Sequence, residues 1–252
     1  MLLLKNSNTK NYLTKFFDII SEQSSALFND VVDFLYPKIC LVSDERISDD
    51  NSNDFVLDDV LQKCELIKDN EFSFIRTKIN ADFFFSHFSL RNENEIQTLV
   101  HYLKYKKFTK IGHCLGKIIG TELRNNYSDK LADYKYLLPV PLFGGKLRER
   151  GFNQSLYICN GINEIIPFDI INEKIIRVKN TKSQTGLSYS ERILNVQDAF
   201  ELNLNSKFNF LDKGILVVDD IITTGSTVKE VIRLLKQSTS VNVGAVTVGL
   251  AK

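Results

Sequence analysis

What this sequence lacks narrows it before any motif is read. It lacks net charge: 32 Lys and Arg stand against 31 Asp and Glu, leaving +1 over 252 residues. Near neutrality gives no global case for nucleic acid or an acidic partner. No apolar run is long enough to span a bilayer, and Met1-Leu2-Leu3-Leu4-Lys5 is too short for the core of a signal peptide. A cytoplasmic protein without membrane insertion is the expectation. Cysteines are few and widely spaced (Cys40, Cys64, Cys114, Cys159), and in a reducing compartment they serve as small buried apolar side chains. Repeats and low-complexity segments are absent. So is a Walker A loop, Gly-x4-Gly-Lys-Ser/Thr. The remaining composition, 43% hydrophobic and 25% charged, is that of a globular chain with room for one large domain or two small ones.

What is present is concentrated near the C-terminus. Ile215-Leu216-Val217-Val218 reads as a buried parallel strand, and it runs straight into Asp219-Asp220. Thr223-Thr224-Gly225-Ser226-Thr227 follows as a hydroxyl-rich loop. Val228, Val231, Ile232 and Leu235 then return at helical spacing, and Thr227 with Glu230 predicts a capping box. A phosphate at such a helix start meets backbone N–H groups and the positive end of the helix dipole. Gly225 permits the positive φ or close approach that a phosphate-wrapping loop needs. Thr223, Thr224, Ser226 and Thr227 add hydroxyl donors. Asp219 and Asp220, at the strand's carboxyl end, face ribose hydroxyls and any Mg²⁺ beside them. The order describes a sugar-phosphate site. Receiver domains also open on a strand with paired aspartates, but they need a later phospho-accepting Asp, and none follows Asp220.

Residues 11–36 carry Leu13, Phe16, Phe17, Ile20, Leu27, Phe28, Val31, Val32 and Leu35 at helical spacing, and Pro37 closes that helix. Residues 43–59, dense in Asp, Asn and Ser, read as a loop or a degraded small module. The aromatic run Phe83–Phe88 is strand-like, and Ile96–Arg124 is largely helical. Strands at Tyr136–Val140, Lys174–Val178, Ala199–Leu202 and Val243–Gly249 alternate with helices, the first of them Arg148–Ile162. Such alternation implies a mostly parallel sheet. The boundary falls between 90 and 110, giving an N-terminal region 1–95 and an α/β domain 96–252. His101-Tyr102-Leu103-Lys104-Tyr105-Lys106-Lys107-Phe108 mixes cations and rings as single-stranded DNA surfaces do. Solvation and snorkelling over a core produce the same composition.

Two further segments qualify the phosphate strand. Pro139-Val140-Pro141-Leu142-Phe143-Gly144-Gly145 leads into Lys146, Arg148 and Arg150 and then Gly151-Phe152-Asn153-Gln154. Three cations after a strand-ending turn suit a second anionic group, because arginine's fork matches phosphate oxygens. Thr181-Lys182-Ser183-Gln184-Thr185-Gly186-Leu187-Ser188, with Glu191-Arg192 and Asn195, is a long polar connection of the kind that serves as a lid.

In this order, Arg-Gly-Phe-Asn-Gln, Gln-Thr-Gly-Leu-Ser with Glu-Arg and Asn, and Asp-Asp-x-x-Thr-Thr-Gly-x-Thr resemble the ComF family. Its members are phosphoribosyltransferase-like proteins, often described as amidophosphoribosyltransferase-like, some linked to DNA uptake in competent bacteria. Leu35-Tyr36-Pro37-Lys38-Ile39-Cys40 and Leu103-Lys104-Tyr105 add to the match, which covers about residues 34–250. The resemblance implies a type I phosphoribosyltransferase fold: a mostly parallel sheet with helices on both faces, after a mainly helical N-terminal region. It also implies phosphoribosyl pyrophosphate (PRPP) or a ribonucleotide as ligand, with Mg²⁺ held mainly through the substrate near Asp219 and Asp220. Thr223, Thr224, Gly225, Ser226 and Thr227 then grip the 5′-phosphate, and Lys146, Arg148 and Arg150 the pyrophosphate. Gln184, Arg192 and Asn195 close the flexible loop, with Asp219, Asp220 and Arg192 as the catalytic set.

The chain departs from the family in its small zinc-ribbon-like module. Cys40 has Ser43, and Cys64 has Ile67, where a second cysteine stands in a Cys-x-x-Cys pair. Two thiolates do not close a tetrahedral site and His87 follows no zinc spacing, so zinc is not expected. Two readings of function stay open. One is transfer of phosphoribose to a nitrogen nucleophile. The other is a non-catalytic PRPP- or nucleotide-binding competence protein that works in DNA uptake with a helicase and single-stranded DNA. No motif identifies the acceptor.

Overall fold

A strand that is apolar at every position must be covered on both faces. The computed structural model describes residues 35–91, 94–179, 196–203 and 213–251, and it gives Ile215–Val218 that environment. Helices α1 (Asp58–Lys63) and α2 (Asp69–Ile79) precede β1 (Phe84–Leu90). Helices α3 (Glu95–Tyr105), α4 (Thr109–Asn126) and α5 (Ser128–Leu131) lead to β2 (Tyr134–Pro139). Then come α6 (Gly144–Arg150), α7 (Gln154–Ile165), β3 (Asp169–Ile170), β4 (Ile175–Arg177), β5 (Phe200–Leu202), β6 (Gly214–Ile222), α8 (Ser226–Ser238) and β7 (Val243–Ala251).

Five strands pair in the order β1-β7-β6-β2-β3, all parallel. Ile215 and Val217 of β6 join Ile75 and Ile79 of α2 and Val228, Val231, Ile232 and Leu235 of α8 in one core. Helices α4 and α7 pack on the opposite face, where the alternate side chains of β6 point. The expected α/β sheet with helices on both faces is the observed one. No helix among the described residues is long and apolar enough to cross a membrane.

The chain divides into two units, 1–58 and 59–252. Described from residue 35, the first is loop-rich, with Cys40, Ile47, Phe55 and Val56 buried. Asn51 organises its Asp/Asn/Ser-rich loop: its amide donates to the Asn53 and Val56 carbonyls at 2.7 and 2.8 Å and accepts from the Asp58 N–H at 2.8 Å. The helix expected over 11–36 lies, apart from its last two residues, outside the described residues.

The second unit begins well before residue 96. The aromatic run around Phe84 and Phe85 is buried because β1 is an edge strand of the main sheet, paired with β7 from Phe84↔Ala245 to Leu90↔Ala251. The single helix expected over 148–162 is two helices, broken where Gly151 turns at φ +84° and Asn153 caps α7. The strands expected near 174–178 and 199–202 exist as β4 and β5, but they form a separate antiparallel ribbon.

Candidate functional site

After β2 the chain moves outward to β3, and it returns through β6 to the other side of β2. At such a switch point the loops leaving two adjacent strands diverge and open a crevice at their carboxyl ends. A cavity of about 460 Å³ lies there. Val140, Leu142 and Lys146 line it from the β2 side, and Asp219 through Thr223 from the β6 side.

Four of the five phosphate-loop candidates border this cavity. Gly225 adopts φ +77° and caps α8 from a left-handed conformation. A Cβ there would lie 2.7 Å from Ile79 Cγ2, so both the conformation and the fit of α2 against the loop require glycine. Thr223, Gly225, Ser226 and Thr227 line the cavity. Thr224 does not; its hydroxyl accepts the Ser226 N–H at 3.3 Å and lies 2.9 Å from the Ser226 hydroxyl. The expected Thr227–Glu230 capping box does not form. The helix starts at Ser226, so Thr227 is already inside its first turn. The Glu230 carboxylate instead accepts from Arg233 at 2.7 and 2.9 Å and from the Asp198 N–H at 2.9 Å.

Asp219 and Asp220 both line the cavity. Ser155, at the start of α7, donates its hydroxyl to Asp219 Oδ1 at 3.2 Å, and the Asp220 N–H donates to the same oxygen at 2.9 Å. Asp220 Oδ1 accepts the Lys104 ammonium and the Ile221 N–H, each at 2.7 Å. Its Oδ2 is buried with no hydrogen-bond partner among the described residues. Burial, and next the charge on Asp220, push the Asp219 carboxyl up to about 7. Lys104, the Asp220 amide and the Ser155 hydroxyl oppose that rise.

Of the three expected pyrophosphate cations, Lys146 and Arg150 line the cavity, while Arg148 is exposed on α6 and does not. Helical periodicity explains the difference: residues 146 and 150 are four apart and share one helix face, and 148 points away. Arg150 is held by Gln154 Oε1 and by the Tyr105 ring, 5.6 Å from its guanidinium. Asn153 fixes the turn between α6 and α7, donating to the Val140 carbonyl at 3.0 Å and accepting the Ser155 N–H at 3.1 Å. Two further cations escaped the sequence reading as parts of this site. Lys104 reaches Asp220 from α3, and Arg177 enters from β4, placed by a bridge between Phe143 and Arg177. Burial, then Arg177 and Arg150, lower the Lys146 ammonium. Burial also lowers the Arg177 guanidinium, against the pull of Asp219. Four cations thus line this cavity, and burial with neighbouring guanidiniums lowers Lys146 among them, an arrangement suited to an anion.

Gln184, Arg192 and Asn195 lie outside the described residues. In the first unit the Cys40 thiol accepts the Ser43 N–H at 3.4 Å. In the second, Cys64 donates to the Val60 carbonyl at 3.3 Å, and burial pushes its thiol up to about 11. No group of three or more His, Cys, Asp or Glu side chains suited to a metal occurs among the described residues.

Residues 164–250 match the phosphoribosyl transferase domain model, a span that contains Asp219–Thr227 but not Lys104, Lys146 or Arg150. The chain is 30% identical over 143 residues to competence protein F of Haemophilus influenzae, covering 56% of this chain and 62% of that protein. It is 32% identical over 143 residues to DNA utilization protein YhgH of Escherichia coli, covering 56% of this chain and 60% of that one. The match thus spans about three fifths of these relatives' length. A hypoxanthine phosphoribosyltransferase of Staphylococcus aureus overlaps 55% of this chain and 62% of its own at 18% identity, with a TM-score of 0.34, too loose to carry an argument. The relatives and the domain match bear out the resemblance to the ComF family.

Proposed function

We propose that the crevice between β2 and β6 binds PRPP and transfers its phosphoribosyl group to a nitrogen nucleophile. One observation carries this: the hydroxyl loop, the two carboxylates and a set of four cations face a single cavity. The 5′-phosphate takes the α8 start, where Gly225, Ser226 and Thr227 bring backbone and hydroxyl donors. Asp219 and Asp220 accept from the ribose hydroxyls. Lys146, Arg150 and Arg177 hold the pyrophosphate and favour the charge that collects on it. In the transfer, the acceptor's lone pair forms the N–C1 bond while the C1–O bond breaks. The electron pair leaves on pyrophosphate, and the acceptor's N–H proton passes to a pyrophosphate oxygen. Positioning and charge stabilisation suffice for this, with no dedicated base.

Mg²⁺ fits the donor set, because the buried Asp220 Oδ2 is a hard oxygen with no protein partner among the described residues. When bound with PRPP, it would neutralise pyrophosphate charge beside Asp219 and Asp220. Gln184, Arg192 and Asn195 are proposed to close over PRPP and exclude water.

A second reading is a non-catalytic PRPP- or nucleotide-binding protein serving DNA uptake with a helicase; the names competence protein F and DNA utilization protein YhgH favour its link to competence and DNA. Tyr105, Lys106, Lys107 and Phe108 are exposed and offer cations and rings to single-stranded DNA. Calorimetry with PRPP and Mg²⁺ tests what the two readings share. The double variant Asp219→Asn/Asp220→Asn should bind much more weakly while remaining folded, and unchanged affinity would sink the assignment. Turnover with nucleobases, ammonia and glutamine separates them. Hydrogen exchange across 181–197 adds a second test, since transfer requires added protection there when PRPP binds.

A further inference from the structure

The cleft is charged before any ligand enters it. Lys104, Lys146, Arg150 and Arg177 line it together with two carboxylates, Asp219 and Asp220. Four cations against two anions draw in a polyanion and repel a free dication. Asp220, whose Oδ2 suits a metal, is moreover already engaged. Its Oδ1 accepts the Lys104 ammonium and the Ile221 N–H, each at 2.7 Å. Both members of that ion pair are largely buried, where water and salt screen a charge little. A dication approaching Asp220 therefore meets the full Lys104 charge at the same carboxylate. Lys104 acts on the anion's side of the cleft as well. Tyr105, the next residue of α3, holds its ring 5.6 Å from the Arg150 guanidinium. The Lys146 ammonium, lowered first by burial and then by Arg177 and Arg150, is lowered by Lys104 too. One flexible four-carbon side chain is thus coupled both to the carboxylate that suits a metal and to the cations that suit an anion.

We propose that Lys104 is the resident counter-ion of Asp220: it bars a divalent cation from the empty cleft and passes to the pyrophosphate when the sugar phosphate enters. The carboxylate is then free for the cation, so the anion precedes or accompanies the metal. This order of loading rests on the PRPP reading above, whereas the shielding of the empty cleft concerns Lys104 and Asp220 alone. The sign of one effect separates a counter-ion from a lysine that only braces the fold. Removing a brace loosens the cleft and weakens metal binding. Removing a counter-ion strengthens it.

The test titrates the full chain with Mn²⁺ alone, the free ion being followed by electron paramagnetic resonance. Lys104→Met and Lys104→Gln should bind Mn²⁺ about tenfold or more tightly than wild type. The glutamine amide still offers Asp220 a donor, which keeps the test open if Lys104→Met does not fold. Lys104→Arg retains the charge and should bind as wild type does, and Lys104→Gln/Asp220→Asn should lose the gain. Asp220→Asn alone should bind Mn²⁺ no more weakly than wild type, because the free cleft does not offer that carboxylate. Calorimetry with inorganic pyrophosphate in chelator reads the second half of the proposal. Affinity should fall about fivefold or more in Lys104→Gln and hold in Lys104→Arg. Mn²⁺ affinity unchanged or reduced on removing the Lys104 charge overturns the counter-ion. So does a clear loss of Mn²⁺ binding in Asp220→Asn, whether or not the Lys104 variants fold. A gain in Mn²⁺ affinity with pyrophosphate affinity unchanged overturns the passage of Lys104 to the anion. If wild type binds neither pyrophosphate nor PRPP, the PRPP reading falls and the loading order with it, while the Mn²⁺ titration still decides whether Lys104 shields Asp220.

Discussion

Lys104 shows how much of a site can hide inside an ordinary residue pattern. In the sequence it is one of several lysines in a basic, aromatic stretch. In the fold it lies 2.7 Å from Asp220, 116 positions away, with only 24% of its side chain and 6% of its partner's exposed. Removing one partner of such a pair strands a buried charge. Lys104→Met should therefore destabilise the chain by about 3 kcal/mol in urea titration without ligand. Lys104→Met/Asp220→Asn should recover much of that loss, because no charge is left unpaired. Equal stability of Lys104→Met and wild type would mean that the pair is open in solution. The contiguous parts of the site were legible: Asp219–Thr227 forms one strand-loop-helix unit, and Lys146 and Arg150 share one turn. Lys104 and Arg177 were not, because their positions depend on where α3 and β4 cross the sheet, and local spacing carries no record of that. Thr227–Glu230 misled for the reverse reason. The spacing of a capping box is present, but Gly225 caps the helix two residues too early for Thr227 to use it.

At the scale of elements, the sheet was legible because β6 and β7 are apolar almost throughout, a pattern that suits a strand covered on both faces and little else. The packing of α4 against α7 was not. Gly112, Gly116 and Gly120 recur at intervals of four along α4; Gly161 of α7 meets the middle one, while Gly112 faces Tyr157 and Gly120 faces Ile162 and Ile165. A Cβ on Gly116 would lie 2.2 Å from the Ile158 carbonyl oxygen, and one on Gly161 would lie 2.1 Å from the His113 carbonyl oxygen. Both obstacles are backbone, so no side chain can swing aside. The glycine spacing is visible in α4, but its partner lies 45 residues beyond Gly116, and nothing local links the two. Gly116→Ala should cost about 3 kcal/mol despite the better helix propensity of alanine. Gly120→Ala meets Ile165 Cβ only at 3.0 Å and should cost clearly less. Urea melts of the two variants check the order. A Gly116→Ala protein as stable as Gly120→Ala would mean that α4 and α7 lie farther apart than described. Because α7 carries Ser155 and α4 follows the helix of Lys104, that contact also sets the spacing of the groups on either side of Asp219 and Asp220.

For the whole molecule, a net charge of +1 conceals local charges that fold-dependent burial moves in opposite directions. Burial beside Phe85 and Phe88 lowers the His87 imidazole, and Glu122 opposes the shift. Below about 6.5 the unfolded chain protonates this His while the folded chain does not, so falling pH removes stability until the depressed folded value is passed. Asp219 acts in the opposite sense. Raised to about 7 by burial and the Asp220 charge, it keeps a proton that the unfolded chain has released above about 4. Its contribution to stability therefore grows as pH falls from about 7 toward about 4. Lys104, Arg177 and Ser155 face it and moderate the effect. The two linkages oppose each other below about pH 6.5, each limited to about 1.4 kcal/mol per pH unit for one proton. Urea melts in chelator, without ligand, at about pH 7.5, 6.5 and 5.5 separate them. Asp219→Asn should lose more stability on acidification than wild type, because the compensating proton uptake is gone. His87→Gln should lose less. The difference between slopes carries the result, since every other titrating group is common to the three proteins. Identical slopes would remove both assignments, and with them the view that the carboxylate cleft is dry enough in the free protein to hold a proton near neutrality.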